Sequence, residues 1–245
     1  MIPSELSPCR SLIEKDPILY LDLTEPLRRG EGHVAAACPT GALVVLENCD
    51  RGFSLLTADR ETAEKLLSLL PPDPELVFVH EEASLSLLHE RFGLTPSPAF
   101  YQGAYLRDTP LPLPDTGAEI RPLGLTSLPV LSANYKYGDE AYLRQLLARR
   151  VLWGAFEGDA LLAFIGLHSE GTMGLLEVLP PYRRRGLARL LESYLINREL
   201  SLGHIPYCQI FERNGPSLAL QTSLGLTLSR GRLWFAERTS GIPIT

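Results

Sequence analysis

Glu177–Arg189 reads EVLPPYRRRGLAR. Its first residues end an apolar strand, and Pro180 and Pro181 cannot donate to a sheet ladder, so the strand stops there. Three arginines follow, then Gly186. Beyond it Leu187, Leu190, Leu191, Tyr194 and Leu195 recur at i, i+3, i+4, i+7 and i+8, which gives one helix face an apolar surface. A glycine at this turn lets the backbone approach a ligand closely. The first helical amides lack intrahelical acceptors and sit at the positive end of the helix dipole, so the turn is suited to an anion. Arginine beside it adds bidentate capture of phosphate. Spacing alone leaves a solvated arginine face open as well.

Outward from this stretch, Val151–Phe156 and Ala160–His168 are apolar runs joined by Glu157-Gly158-Asp159, a hairpin signal. Met173–Val178 supplies a third strand. Glu119–Leu123 reads as a short strand, and Leu128–Ala133 and Glu140–Arg150 as helices. Tyr207–Phe211 follows as a strand, Pro216–Ser223 as a helix, and Leu228–Glu237 as a final strand or a hairpin around Arg230-Gly231. In the first half, Ala42–Leu46, Phe53–Leu56 and Leu76–Val79 read as strands, and Thr62–Leu70 and Ser84–Phe92 as helices. Phe92-Gly93-Leu94-Thr95-Pro96-Ser97 echoes Leu224-Gly225-Leu226-Thr227-Leu228-Ser229. Thr109–Gly117, TPLPLPDTG, is held extended by alternating prolines. These readings divide the chain into an N-terminal α/β domain (1–108), a proline-rich linker (109–118) and a second domain (119–245).

The chain has 245 residues, 45% hydrophobic and 21% charged, enough for a sizeable core. Its net charge of −6 argues against a general nucleic-acid binder. Cys9, Cys38, Cys49 and Cys208 form no CxxC pair, so neither a metal site nor a disulfide framework is expected, and a reducing cytoplasm fits. The N-terminus lacks the features of a signal peptide, and no apolar run approaches the ~20 residues that span a bilayer, so no membrane partner is expected. P-loop, HExxH and GxSxG patterns do not occur.

Val178-x-Pro180-x-x-Arg183-x-x-Gly186-x-Ala188 resembles the acyl-CoA-binding signature of the GNAT superfamily of N-acyltransferases, Gln/Arg-x-x-Gly-x-Gly/Ala after a strand. Asn214-x-x-Ser217, with Gly225-Leu226 beyond, is similar to the second signature of that superfamily, and Ile120-Arg121-Pro122 to its first strand. The resemblance spans about residues 119–238. SEGTMGLLEVLPPYRRRG followed by NGPS is most similar to the glycine N-acyltransferase-like branch. The resemblance implies a mixed, mostly antiparallel twisted sheet flanked by helices, an α/β class fold. The echo of Phe92–Ser97 in Leu224–Ser229 leaves open that the smaller first half is a diverged, degenerate GNAT-like copy; at the equivalent place Thr57–Thr62, TADRET, has no Arg-x-x-Gly-x-Ala loop, so the first half is expected to bind no CoA.

The resemblance further implies that Arg183, Arg184, Arg185, Gly186, Leu187, Ala188 and Arg189 wrap the pyrophosphate of CoA. The backbone of Leu176 and Val178 would pair with the pantetheine arm. Asn214 would hydrogen-bond that arm beside Ser217, although an asparagine here also suits a helix N-cap. The implied reaction is attack of a primary amine on the thioester of acetyl-CoA or another acyl-CoA, without a metal. Many relatives place a glutamate base where this chain has Thr172 and a tyrosine acid where it has Gln221, and neither residue can take those roles directly. Glu177, in the signature strand, is the first candidate base, provided that a bulge re-aims it. Glu170 could act through water, and His168 is a third candidate.

Tyr135, Tyr137 and Trp153 fall where an acceptor would be walled. The expected acceptor is a small-molecule amine or amino acid. A protein N-terminus or lysine, or an acyl-CoA-binding module without catalysis, are the alternatives, and a homodimer stays open.

Overall fold

The computed structural model describes residues 2–238. The outermost ends of both expected domains, Met1 and residues 239–245, lie outside that range. In chain order the elements begin with α1 (Arg10–Ile13), α2 (Leu21–Arg29), β1 (Gly32–Cys38), β2 (Gly41–Leu46), β3 (Gly52–Thr57), α3 (Arg60–Leu67), β4 (Leu76–Val79), α4 (Ala83–Phe92), β5 (Thr95–Pro96) and β6 (Phe100–Ala104). They continue with β7 (Glu119–Pro122), α5 (Leu128–Asn134), α6 (Glu140–Ala148), β8 (Leu152–Glu157), β9 (Ala160–Leu167), β10 (Met173–Val178), α7 (Leu187–Ser201), β11 (Tyr207–Phe211), α8 (Gly215–Ser223), β12 (Thr227–Leu228) and β13 (Trp234–Glu237). This is a mixed α/β protein with two mostly antiparallel sheets flanked by helices.

The chain divides into two compact units. One holds residues 1–104, 209–218 and 227–245; the other holds 105–208 and 219–226. The last part of the chain therefore alternates between units, instead of staying with residues 119–208.

In the first unit β1, β2 and β3 form an antiparallel meander, and β4 joins β3 in parallel. Parallel neighbours need a crossover, and α3 supplies it. Asp59 caps α3 by accepting from the Thr62 amide at 2.8 Å. β13 then pairs antiparallel with both β4 and β5, so the strand nearest the C-terminus lies between two strands of the first hundred residues. The expected hairpin around Arg230-Gly231 is not formed, because β12 pairs with β6 and β13 with β4 and β5. Asp16 instead holds the turn, its Oδ2 accepting from the amides of Arg230 and Gly231 at 2.7 and 2.9 Å.

A buried polar cluster crosses the core of this unit. Asp22 Oδ1 accepts from His80 Nε2 at 2.9 Å, and the Leu55 carbonyl accepts from His80 Nδ1 at 3.0 Å. A backbone carbonyl only accepts, and a carboxylate beside the other ring nitrogen favours the protonated ring. Burial opposes that charge, but Asp22 and the two hydrogen bonds together hold the His80 pKa above its ordinary value. Ser54 Oγ and Gln102 Nε2 donate to the same carboxylate.

The second unit repeats the element order. β7, β8, β9 and β10 run antiparallel in sequence, and β11 follows in parallel through the crossover helix α7. Leu131, Leu143, Leu146 and Leu147 of α5 and α6 pack with Leu152, Phe164 and Leu175. Helix α7 packs against β8, β9 and β10. The six-residue echo has a matching geometry at its two sites. Gly93 and Gly225 end their helices in the left-handed region, at φ +68° and +90°. Thr95 and Thr227 then begin the short strands β5 and β12.

The expected linker has no regular structure, but it is anchored. Asn197 of α7 accepts from the Leu111 amide at 2.6 Å and donates to the Leu111 carbonyl at 2.8 Å.

Candidate active site

The signature strand is irregular where its chemistry lies. Pairing of β10 with β9 shifts register between Gly174 and Glu177, and Leu175 within that bulge has φ +54°. Such a bulge breaks the alternation of side chains. Consecutive residues Glu177 and Val178 accordingly line the same cavity of about 380 Å³. On its other edge β10 pairs in parallel with β11, with Met173 opposite Cys208. The Val178 carbonyl is taken by the Arg183 side chain, whose Nε donates to it at 3.2 Å. Leu176 is not part of the cavity lining, so of the two residues expected to meet the pantetheine arm only Val178 borders the cavity.

Arg183, Arg184, Gly186, Leu187, Ala188, Arg189 and Leu220 complete that lining. Gly186 is the N-cap of α7 at φ +79°, and no side chain caps the helix there. The amides of the first turn thus face the cavity side with a positive dipole end behind them. Arg184 has φ +65°, a left-handed conformation that costs a non-glycine residue ~1 kcal/mol or more. Such outliers gather at ligand sites. Arg185 points elsewhere: its Nη2 donates to Glu157 at 3.0 Å, and it is absent from the lining. Arg189 is fixed by a hydrogen bond to Ser223 Oγ.

Asn214 and Ser217 stand at the start of α8, among the residues of the first unit. Asn214 Oδ1 accepts from the Ser217 amide at 3.2 Å, and the Asn214 carbonyl from the Leu218 amide at 3.0 Å. This is N-cap geometry, so the asparagine side chain is engaged by its own helix.

Tyr135 feels two carboxylates, Glu177 near the C-terminal end of β10 and Glu170 in the turn before the strand. Glu177 is half-buried, and burial raises its pKa against the lowering pull of Arg183 and Lys136. Tyr135 ends α5, its amide bonded to the Leu131 carbonyl at 2.8 Å. Its ring is buried, and burial, followed by the charges of Glu170, Tyr137 and Glu177, pushes its phenol far up, so it stays protonated. Glu170 accepts from Thr172 Oγ1 at 2.8 Å, while its own carbonyl accepts from the Tyr207 hydroxyl at 3.0 Å. The turn therefore brings a carboxylate onto the side chain at position 172, where relatives are expected to carry one. Tyr137 packs edge-on against Tyr135 at 5.8 Å.

Two sequence candidates lie away from this group. Trp153 sits against α7, its ring 6.1 Å from Tyr194 and 4.7 Å beneath the Arg198 guanidinium. Its neighbour Leu152 faces α5 and α6 instead, as strand alternation requires. His168 is enclosed. Its Nδ1 meets the Tyr142 hydroxyl at 2.7 Å, and a Cβ on Gly174 would lie 2.3 Å from its Nε2. Burial lowers its pKa despite Glu170, so it is neutral.

Sequence reading overlooked a buried carboxyl one turn beyond the loop, that of Glu192. Helical spacing held a signal for it: Glu192 follows Ala188 by four residues and precedes Leu195 and Ile196 by three and four. Leu195 and Ile196 are fully buried, and so, within 3%, is Glu192. Among the described residues no group of His, Cys, Asp and Glu could hold a metal ion, and no helix is long and apolar enough to cross a membrane.

Residues 154–235 match a family model described as FR47-like protein. Among solved structures, a Drosophila protein is similar at TM-score 0.61 and 21% identity, covering 81% of this chain and 74% of its own. A protein described as a GNAT-family acetyltransferase, from Novosphingobium aromaticivorans, is similar at TM-score 0.54 and 22% identity, over 90% of this chain and 97% of its own. A GCN5-related N-acetyltransferase-like protein from Streptococcus suis is similar at TM-score 0.54 and 15% identity, over 96% and 100%. No curated protein matches the chain. The chain has the fold of GNAT acetyltransferases, and the matched segment carries its bulged strand, arginine loop and crossover helix.

Proposed function

We propose that this chain is an acyl-CoA-dependent N-acyltransferase that moves an acetyl group from acetyl-CoA to the primary amine of a small molecule or amino acid. One observation carries the reading: the uncapped N-terminus of α7, with Gly186 left-handed and Arg183, Arg184 and Arg189 around one cavity, lies beside the half-buried Glu177. The loop suits a pyrophosphate. Its fit to acyl-CoA rests on those donors, and Arg183 must release the Val178 carbonyl if the pantetheine arm is to pair there.

An alkylamine is mostly protonated at neutral pH, with lysine at about 10.4 as a guide. Glu177 takes one proton from the ammonium and frees the nitrogen lone pair; the amine then attacks the thioester carbonyl, the C–N bond forms, the C–S bond breaks, and the second nitrogen proton passes to the departing sulfur, so that CoA leaves as the thiol. Burial makes Glu177 a stronger base than an exposed glutamate. Tyr135, protonated and under the influence of both Glu170 and Glu177, is placed to orient the amine together with Tyr137. Trp153 is left out of the acceptor wall, because it packs under α7. The likeness of residues 169–186 to the glycine N-acyltransferase-like branch supports an amino-acid acceptor.

The test is calorimetric titration with acetyl-CoA and free CoA, followed by a thiol-release assay across amines and amino acids. One-to-one binding and amine-dependent thiol release support the reading. Binding without release with any amine identifies a non-catalytic acyl-CoA module instead, and absence of binding overturns both.

A further inference from the structure

Glu192 lies on α7 and Gln221 on the last turns of α8, both 3% exposed. Gln221 Nε2 donates to Glu192 Oε1 at 2.6 Å. The other oxygen of each residue, Glu192 Oε2 and Gln221 Oε1, is buried without a partner. Two acceptors cannot satisfy each other, and a buried unsatisfied polar atom costs ~1–3 kcal/mol. A single proton resolves both, because a carboxylic acid donates through one oxygen and accepts through the other. The alternative assignment of the Gln221 amide changes nothing essential: with oxygen and nitrogen exchanged, the 2.6 Å contact itself requires the proton.

We infer that Glu192 holds a proton and forms with Gln221 a cyclic acid–amide pair that fixes the α7–α8 wall of the cofactor cavity. Four residues before Glu192 stands Ala188, and one before Gln221 stands Leu220; both line the cavity. Arg189, which also lines it, is tied to Ser223 on the same stretch of α8. Thus Gln221, which replaces an expected catalytic tyrosine, has a positioning role.

Burial raises the Glu192 carboxyl to about 7, against the lowering effect of the Gln221 hydrogen bond. No charged group contributes. The strand β9 and residues 219–226 carry no titratable side chain. Glu157 of β8 is paired with Arg185, and Glu177 of β10 is influenced by Arg183 and Lys136. On α7 itself, Arg189 is bound to Ser223, and Arg198 pairs with Glu199.

This inference rests on the acyl-CoA reading for its functional consequence, but not for its chemistry. The full-length wild type is compared with E192Q and E192A by infrared spectroscopy, thermal unfolding and acetyl-CoA calorimetry across a pH series. A second amide can form the same two-bonded pair without a proton. E192Q is therefore expected to match the wild type near pH ~5 and to lack its pH dependence. Since the folded-state pKa lies above the unfolded one, the stabilising preference for the acid is complete at low pH and fades as pH rises. Relative to E192Q, the wild-type folding constant should fall about a hundredfold from pH ~5 to ~8.

Acetyl-CoA affinity of the wild type should weaken with it, and E192A should lose about tenfold in affinity at any pH, the equivalent of one hydrogen bond. A protonated-carboxyl infrared band at neutral pH, absent in E192Q, supports the inference even if E192A does not fold. A wild type without that band, or with the same pH dependence as E192Q, overturns it. If no variant binds acetyl-CoA, the functional reading falls while the band and the unfolding series still decide the protonation of Glu192.

Discussion

Replacing Gly186 separates the folding role of the arginine loop from its ligand role. An ideal Cβ at this position meets only Thr116 Cγ2, at 3.5 Å, an ordinary contact. Alanine is therefore strained by backbone conformation alone, since φ is +79°. That strain costs about 1 kcal/mol, and for a chain of this size lowers Tm by about 2–4 °C. Gly186→Trp carries the same backbone cost and sends an indole into the open cavity beside the first-turn amides. If the cavity holds a pyrophosphate, it displaces at least two charge-assisted hydrogen bonds worth ~1.5 kcal/mol each. Acetyl-CoA affinity should then fall about a hundredfold below that of Gly186→Ala. Calorimetry supplies the affinities, and thermal unfolding shows that both variants are folded. A folded Gly186→Trp that binds acetyl-CoA within about threefold of Gly186→Ala refutes the placement of the pyrophosphate at this helix terminus.

Glu177→Gln should lower turnover by about 10²–10⁴-fold with acetyl-CoA affinity nearly unchanged. In the wild type kcat/KM should rise with pH through the elevated Glu177 pKa, and this limb should vanish in the variant. Asp22→Ala leaves His80 without its counter-charge and should cost about 3–5 kcal/mol in denaturant unfolding. The His80 pKa is raised on folding, so its stabilisation is complete below the unfolded value and disappears as pH rises through the folded one; Asp22→Ala should flatten that decline. Asn197→Leu removes both hydrogen bonds to Leu111, and the Leu111 amide should exchange with solvent at least ~tenfold faster by hydrogen exchange.

What could be read from residues alone was what local spacing controls. The end of β10, the loop and the start of α7 follow from two prolines, a glycine and a leucine periodicity within twenty residues of one another. The same reading recognised that a bulge would be needed at Glu177, but the bulge itself depends on pairing with β9. β13 was legible as a strand but not as a neighbour of β4, because its partners Leu76–Val79 are more than 150 residues away. Trp153 and Asn214 were ambiguous for a related reason. An aromatic strand residue faces either layer, and an asparagine before a helix serves equally as a cap, until the packing is known. Glu192 escaped notice because a glutamate on a helix is ordinarily solvated. Only the burial of that helix on nearly every side makes it exceptional.

The position of β13 has a consequence for how the protein is made. During synthesis β4 and β5 leave the ribosome without the strand that separates them, and each presents an unpaired edge. At a translation rate of ~5–20 residues per second, the missing strand arrives on the order of ten seconds later. The first unit must wait that long as an incomplete sheet. A fragment ending near residue 108 would never leave that state, so the N-terminal half is expected to aggregate when expressed alone and to be rescued by co-expression of the remainder.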